Sequence, residues 1–144
     1  MAQTVEQALA AGKLFSDNQD YLLIQLPTKA IMAAAGVIAQ IGEPFCALIV
    51  DKDEVSLVIP AEALEDFKER LSNYQASNKP YRLITFDIEL DLSLIGFMAK
   101  VSRALADAGV PIMTFAAYSR DHLLVPAEQF SVAMATLAQL QSGA

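Results

Sequence analysis

Three residues near position 120 have side chains whose types could do chemistry together. The segment YSRDHLLVPAE (118–128) places Ser119, Asp121 and His122 on one predicted turn. Serine, histidine and aspartate form the hydrolytic triad, but three residues this close in sequence are rarely aligned as nucleophile, base and orienting group. We therefore keep catalysis by Asp121 and His122 as an alternative. The other interpretation of His122 is a turn residue that begins a strand.

A run of carboxylates in YRLITFDIELD (81–91) is a second place where chemistry is conceivable. On one continuous strand, Asp87, Glu89 and Asp91 would share a face and could offer oxygen ligands to a hard cation or an acid and base pair. A solvated strand face or an interface rim explains the same pattern. The sequence holds one histidine and one cysteine, Cys46, which excludes multi-histidine and cysteine-based metal sites. We predict no metal, no cofactor and no enzymatic activity.

The charge of the chain argues against two classes of partner. Its 144 residues carry a formal net charge of -7, and the 10 lysines and arginines are scattered rather than clustered. Binding to nucleic acid or to an anionic membrane needs a basic face, so we predict neither partner. The N-terminal sequence lacks the features of a secretory signal. The longest uncharged apolar stretch of the chain, AIMAAAGVIA (30–39), is too short to span a bilayer. These observations predict a cytoplasmic protein.

An internal repeat organises the chain. DEVSLVIPAE (53–62) and SRDHLLVPAE (119–128) both end an apolar run in proline, alanine and glutamate, and Pro60 and Pro126 lie 66 residues apart (126 − 60). Proline presets φ and lacks an amide that the first helical turn would not use, so each junction predicts a strand followed by a helix. Upstream of both prolines, the patterns typical of a strand, a helix and two further strands follow in the same order. With the helix after each proline, they predict two β-α-β-β-α units.

The second unit has the clearer pattern. Alternation over 81–91 predicts a strand with Thr85 on its wetter face. Ser93 is placed to cap the next helix and Gly109 to end it. The other predicted elements are a helix with the apolar stripe Met98, Val101, Leu105 and Ala108, strands in IMTFAAY (112–118) and HLLV (122–125), and a helix that starts at Pro126 with Phe130, Ala133, Met134 and Leu137 inward.

The first unit repeats this order with less contrast. Its predicted elements are a strand (21–27), a helix closed by Gly42 (28–41), strands in PFCALIV (44–50) and VSLVI (55–59), and a helix that buries Leu64, Phe67 and Leu71. A helix over 1–12, capped by Thr4 and Gln7, precedes it.

The join between the units sets the predicted domain boundaries. SNYQASNKP (72–80) is the one polar linker, which predicts domains at 1–75 and 80–144. A split β-α-β unit needs a fourth strand, and neither copy shows one clearly. The N-terminal segment, the other copy or a second chain could cover the open edge, and we favour the last two.

Two segments of the second unit leave backbone groups free for a ligand. They are the loop after its first strand (91–96) and the turn after its second (118–121). Gly96 permits close approach to the main chain, and the start of the following helix offers unpaired amides to a carboxylate. Asp121 could bind an ammonium or guanidinium group. The predicted ligand is therefore a small zwitterion.

These residues carry a family resemblance. The β-α-β-β-α repeat, with LSLIGFMAKVSRALADAGV (92–110) and YSRDHLLVPAE, resembles tandem ACT-domain proteins, in particular CASTOR-type amino-acid sensors and the regulatory ACT domains of aspartate kinases. The resemblance covers about 81–140 and is weaker over 20–72. It implies an α+β fold of two tandem ferredoxin-like ACT domains, with antiparallel sheets backed by helices. ACT domains pair side by side, which implies a homodimer with an amino acid held between domains.

The resemblance also implies a site. Carried over by position, the ligand-binding residues are Ser93, Leu94, Gly96, Tyr118, Ser119, Asp121 and His122. Asp121 would hold the ligand's cationic group. The first unit has Asp53 and Glu54 at the corresponding place and lacks a Gly96 equivalent, which favours one site per chain or one shared across a dimer. The implied function is a non-catalytic amino-acid-binding regulatory or sensor protein. The alternative is a ligand-free homodimeric interaction protein that kept the fold.

Overall fold

The computed structural model describes residues 3–42 and 45–143 of the chain. Five α-helices lie in these residues: α1 (Val5–Ala11), α2 (Ile31–Ile41), α3 (Ala61–Phe67), α4 (Phe97–Asp107) and α5 (Phe130–Gln141). The strands are β1 (Lys13–Phe15), β2 (Asp20–Leu26), β3 (Ala47–Val50), β4 (Val55–Pro60), β5 (Gln75–Ala76), β6 (Tyr81–Asp87), β7 (Met113–Ala116) and β8 (Asp121–Pro126). Single 3-10 turns precede α2 (Thr28–Ala30), follow α3 (Lys68–Arg70) and precede α5 (Ala127–Gln129).

The chain divides into two compact units. Residues 19–81 form one, called here the inserted unit, and residues 1–18 with 82–144 form the other, called the discontinuous unit. This division differs from the predicted boundaries of 1–75 and 80–144, because the N-terminal helix and strand pack with the C-terminal half of the chain. The N-terminal segment and the C-terminal half are far apart in sequence, so no local sequence pattern predicts that they pack together.

The discontinuous unit is a sheet with helices on one face. Strand order is β1-β6-β8-β7, with β1 antiparallel to β6 and β7 antiparallel to β8. α4 and α5 pack against each other and α1 packs on both. The core of this unit is formed by Ala8, Leu9, Ile84, Phe86, Phe97, Val101, Leu105, Val110, Leu123, Val125, Ala133 and Leu137. Burial of these apolar side chains is the main favourable contribution to its stability.

The inserted unit repeats the arrangement. Strand order is β5-β2-β4-β3, and β2 is antiparallel to both β4 and β5. α2 and α3 cover one face through a core of Ile24, Leu26, Ala34, Val37, Val55, Leu57, Ile59, Ala63 and Leu71. Leu71 is buried as predicted, while Leu64 and Phe67 are partly buried against the same core. Each unit is thus a four-stranded antiparallel sheet backed by helices, as predicted.

Each unit has a short additional strand. β1, from the N-terminal segment, pairs with the end of β6, and β5, from the predicted linker 72–80, pairs with β2. The N-terminal segment is thus one source of an added strand, and it is the source that we had left open without favouring it. β1 has three residues and β5 has two, too few for an alternating pattern to show in the sequence.

The helix boundaries follow the predicted caps in most places. Thr4 and Gln7 form a reciprocal capping box on α1. After α4, the Gly109 N–H donates to Ala106 O (3.0 Å) and the Val110 N–H to Leu105 O (2.9 Å), a Schellman motif that ends the helix with Gly109 at φ +77°. Gly109 is therefore a stop signal, as predicted.

Two details of the repeat differ from the prediction. Pro60 and Pro126 are the last residues of β4 and β8 rather than the first residues of helices. Their ψ angles of 139° and 136° are extended, so the helical turn begins one residue later. Ala108 lies beyond the end of α4 and is exposed, whereas Val101 and Leu105 are buried as predicted.

Candidate functional site

The loop between β6 and α4, residues 88–96, is called here the ligand loop. β6 ends at Asp87, four residues earlier than predicted. Asp91 then shapes the loop: its Oδ1 accepts the Ser93 N–H at 2.9 Å and the Ser93 hydroxyl at 2.8 Å. These two bonds hold the pKa of the Asp91 carboxyl below its ordinary value, the backbone bond contributing most. Ser93 is therefore part of a side-chain-capped turn, and the prediction that it caps α4 was wrong.

Gly96 occupies the N-cap position of α4 instead. Its φ of +92° and ψ of 1° lie in the left-handed region, which side chains disfavour. A Cβ added there would meet only Val5 Cγ2, at 3.9 Å. The glycine is thus required by the backbone conformation of the loop rather than by crowding at that point.

Substituting Gly96 with alanine is expected to cost about 1–2 kcal/mol of unfolding free energy, since the new Cβ must adopt a left-handed conformation. Chemical denaturation with urea measures the change. Gly36→Ala is the matched control, because Gly36 lies inside α2 and a Cβ there meets only the flexible end of Arg70 at 3.0 Å. The control is expected to be neutral or slightly stabilising. Equal losses in both variants would show that the loop conformation is not the cause.

The turn between β7 and β8 faces the ligand loop. Ala116 pairs with Asp121 across the hairpin, and the Ala117 N–H donates to Arg120 O at 2.9 Å. A bond of 2.6 Å from the Leu90 N–H to Ser119 O ties the ligand loop to this turn. The two segments that the sequence singled out, 91–96 and 118–121, are therefore adjacent.

A cleft of ≈ 180 Å³ lies between the ligand loop and the hairpin turn. Its lining residues are Leu90, Asp91, Leu92, Leu94, Phe97, Ala116, Ala117, Tyr118, Ser119, Arg120 and Asp121. Of the predicted site residues, Leu94, Tyr118, Ser119 and Asp121 line this cleft.

The other three predicted residues do not line the cleft. Ser93 and Gly96 lie in the ligand loop and shape it, and His122 follows Asp121 on β8. Sequence reasoning missed Leu90, Phe97 and Arg120. Their proximity to predicted residues along the chain was the available signal, since a turn that contributes Ser119 and Asp121 also exposes the residue between them.

Asp121 is a partly buried carboxylate in the wall of the cleft. Burial raises its pKa above the ordinary value for aspartate, and neighbouring His122 opposes that effect. Arg120, beside it, donates from Nε to Asp87 Oδ1 at 3.0 Å and from Nη1 to the Ser119 hydroxyl at 3.3 Å.

His122 is held against the neighbouring strand. Its Nδ1 lies 2.8 Å from Thr85 Oγ1, and Thr85 is only 6% exposed. The prediction that Thr85 lies on a wetter face was wrong. Burial lowers the pKa of His122, Asp121 raises it and Arg120 lowers it. The triad alternative for Ser119, Asp121 and His122 gains no support from these contacts.

The carboxylates of 87–91 do not form the shared face that one continuous strand would give. Asp87 pairs with Arg120, and Asp91 accepts from Ser93 within the loop. In residues 3–42 and 45–143, no group of three or more histidine, cysteine, aspartate or glutamate side chains is arranged to hold a metal ion. The early end of β6 separates these side chains.

The described residues of the inserted unit, 19–42 and 45–81, do not repeat the polar residues of this site. β4 begins at Val55 as β8 begins at Asp121, so Val55 and Ser56, rather than Asp53 and Glu54, correspond to Asp121 and His122. After β2 the chain enters a 3-10 turn at Thr28, with Pro27 as the whole loop. In the inserted unit, the position that corresponds to Asp121 is thus occupied by the apolar residue Val55.

A second cavity, of ≈ 330 Å³, lies on the inserted unit. Its lining residues are Leu23, Ile24, Gln25, Glu54, Ser56, Gln75, Ala76 and Ser77. Gln25 Nε2 donates to Glu54 Oε1 at 2.7 Å, and Ser77 Oγ accepts the Leu23 N–H at 3.2 Å. Gln25 and Glu54 are thus engaged with each other, and Ser77 is engaged with the backbone.

Comparison with known proteins identifies the domain. Residues 76–139 match the family model of the ACT domain, which confirms the predicted resemblance for the C-terminal part of the chain. The comparison with curated proteins finds no match to the chain. Within the described residues, no helix is long and apolar enough to cross a membrane.

Solved structures extend this likeness to the whole fold. A Vibrio cholerae protein of unknown function, described as a possible transport protein, is 22% identical, with 96% of each chain covered and a TM-score of 0.72. The ligand-free regulatory subunit of aspartate kinase from Thermus thermophilus is 17% identical, with 91% of this chain and 97% of that chain covered and a TM-score of 0.71. Aspartate kinase from Clostridium acetobutylicum is 15% identical, with 91% of this chain but 34% of the kinase covered and a TM-score of 0.69. The chain therefore has a tandem ACT-like fold.

Proposed function

We propose that this protein is a non-catalytic regulatory or sensor protein that binds an amino acid, or a similar small zwitterion, in the cleft between the ligand loop and the hairpin turn. The cleft itself carries the proposal, because it joins the two predicted segments and has Asp121 in its wall. Its volume of ≈ 180 Å³ is below the range of about 300–1,000 Å³ that is usual for drug-sized ligands. A single small metabolite is the ligand that fits.

The chemistry of the cleft suits a zwitterion. The Asp121 carboxylate binds the ligand's ammonium group through a charge-assisted hydrogen bond. The first amides of α4, beginning at Phe97, have no acceptor within the helix and carry the positive end of its dipole, so they bind the ligand's carboxylate. Leu90, Leu94 and Phe97 contact its apolar atoms.

We also propose that the protein is a homodimer, and exposed apolar side chains beside the cleft, called here the apolar rim, support this. Leu92, Ile95 and Tyr118 are 73%, 88% and 83% exposed, and β7, next to the hairpin turn, is the edge strand of its unit. Leu92 and Tyr118 both line the cleft, and exposed apolar side chains that lie together mark surfaces that bind another protein. A second copy of the chain would cover this rim and enclose the ligand between ACT domains. The same rim supports the alternative, a homodimeric interaction protein without a ligand.

A thermal-shift screen of the twenty common amino acids, each tested separately, checks the proposal. Mass action predicts about 2.7 kcal/mol of stabilisation at a ligand concentration of 100 times Kd, which raises Tm by roughly 10 °C. Light scattering after size exclusion gives the oligomeric state in the same buffers. Unchanged melting curves for all amino acids, with a dimer present, would favour the ligand-free alternative.

A further inference from the structure

We propose that Gln3 is a positioning residue of the ligand cleft: its side-chain amide clamps the ligand loop in the conformation that binds. The inference rests on the proposed function and adds a residue from the N-terminal segment, which contributes none of the predicted ligand-binding residues. Gln3 does not line the cleft. It acts through the main chain of the loop.

Gln3 makes two hydrogen bonds to the loop backbone. Its Nε2 donates to Glu89 O at 3.2 Å, and its Oε1 accepts the Asp91 N–H at 3.1 Å. A carboxamide offers a donor and an acceptor side by side, which a carboxylate or an ammonium cannot do. The side chain therefore spans the loop at the point where it leaves β6 and turns toward the cleft.

The clamp and the hairpin hold neighbouring amides of the loop. The Leu90 N–H donates to Ser119 O on the hairpin turn, while the next amide, that of Asp91, donates to Gln3. Asp91 then holds Ser93 through its carboxylate. The hairpin and the N-terminal segment thus both hold the loop backbone, so releasing Gln3 removes one of the anchors of the loop.

Gln3 itself is firmly attached to the discontinuous unit. The next residue, Thr4, caps α1, and Ala8 and Leu9 of that helix are 0% and 3% exposed in the core. Gln141 on α5 donates from Nε2 to Leu9 O at 3.0 Å, and also to Gly12 O. Because the backbone next to Gln3 is attached to the core, the two hydrogen bonds of Gln3 favour one conformation of the ligand loop.

Amide hydrogen exchange in the ligand-free protein tests the clamp without any ligand. Gln3→Ala removes both bonds, and Gln7→Ala is the matched control, since Gln7 caps the same helix but its side chain bonds to Thr4. We expect Gln3→Ala to accelerate exchange of the Asp91 amide about tenfold and Gln7→Ala to leave that rate within about twofold of wild type. Equal rates in wild type and Gln3→Ala, or equal acceleration in both variants, would overturn the clamp.

A binding measurement tests the positioning role. The probe is whichever common amino acid raises the Tm of the wild-type protein most, titrated by calorimetry into wild type, Gln3→Ala and Gln7→Ala. We expect Kd to rise about tenfold for Gln3→Ala, since a loop that is only partly in the binding conformation lowers affinity by that fraction, and to stay unchanged for Gln7→Ala. An unchanged Kd in Gln3→Ala would overturn the role. If no amino acid shifts the wild-type Tm, the proposed function fails, and the exchange rates alone decide the clamp.

Discussion

Asp121→Asn is expected to abolish most of the response to amino acids while leaving the fold intact. The substitution keeps the shape of the side chain but removes the charge that binds the ligand's ammonium group. A hydrogen bond to a charged group contributes about 1.5–3 kcal/mol, so Kd should rise by about 10- to 150-fold. Calorimetric titration of wild type and variant with the same amino acid measures the change.

The raised pKa of Asp121 predicts how the stability and the ligand affinity of the wild-type protein depend on pH. Because burial lifts the pKa of the folded state above that of the unfolded chain, ionised Asp121 destabilises the ligand-free fold, increasingly as pH rises from the unfolded through the folded pKa. Asp121→Asn should therefore raise the Tm of the ligand-free protein at pH 7. Binding has the opposite dependence: affinity falls as pH drops through the raised pKa, because the protonated carboxyl no longer attracts an ammonium.

The control for Asp121→Asn is the same change at an exposed carboxylate. Asp107 lies at the end of α4 and forms an i,i+4 ion pair of 3.3 Å with Arg103, and both side chains are exposed. Asp107→Asn should leave Kd unchanged and lower stability by less than about 0.5 kcal/mol. If Asp121→Asn bound the amino acid as tightly as wild type, or if Asp107→Asn lost binding equally, Asp121 would not be the cation-binding group.

Phe97→Ala is expected to produce the largest loss of stability. Phe97 is 4% exposed, lines the cleft, and packs edge-on against Phe86 with ring centroids 5.1 Å apart. Truncating a buried phenylalanine to alanine costs about 3–5 kcal/mol through lost burial and the cavity left behind. Urea denaturation followed by circular dichroism gives the change in unfolding free energy.

Leu92→Ala provides the comparison for Phe97→Ala. Leu92 also lines the cleft, but its side chain is 73% exposed, so its truncation should stay within about 0.5 kcal/mol of wild type. If Phe97→Ala lowered the free energy of unfolding by less than about 1 kcal/mol, Phe97 would not be packed in the core as the structure shows.

Much of the fold could be predicted because its signals are local. The stripe of Val101 and Leu105 and the stop at Gly109 define α4 within a dozen residues, and each needs only helix periodicity and one left-handed glycine. The repeated strand-to-helix junctions at Pro60 and Pro126 predicted that the chain contains two similar units. Asp121 and Ser119 were found because hairpin turns are marked by polar residues between apolar runs.

The parts that escaped prediction depend on partners far apart in sequence. The three residues of β1 pair with β6 about 70 positions later in the chain, and the Gln3 clamp joins residues 86 and 88 positions apart. Thr85 was assigned to a wetter face because alternation in one strand cannot show what covers its second face. Ser93 was taken as a helix cap because its spacing from the helix suits that role equally well, and only coordinates distinguish the two turns.

A crystal structure grown in an equimolar mixture of the twenty common amino acids tests the central claim most directly. We predict density for one amino acid between the ligand loop and the hairpin turn, with its ammonium nitrogen about 2.7–2.9 Å from a carboxylate oxygen of Asp121 and its carboxylate at the start of α4. An amino acid bound elsewhere on the chain, or an empty cleft at saturating concentrations, would contradict the claim.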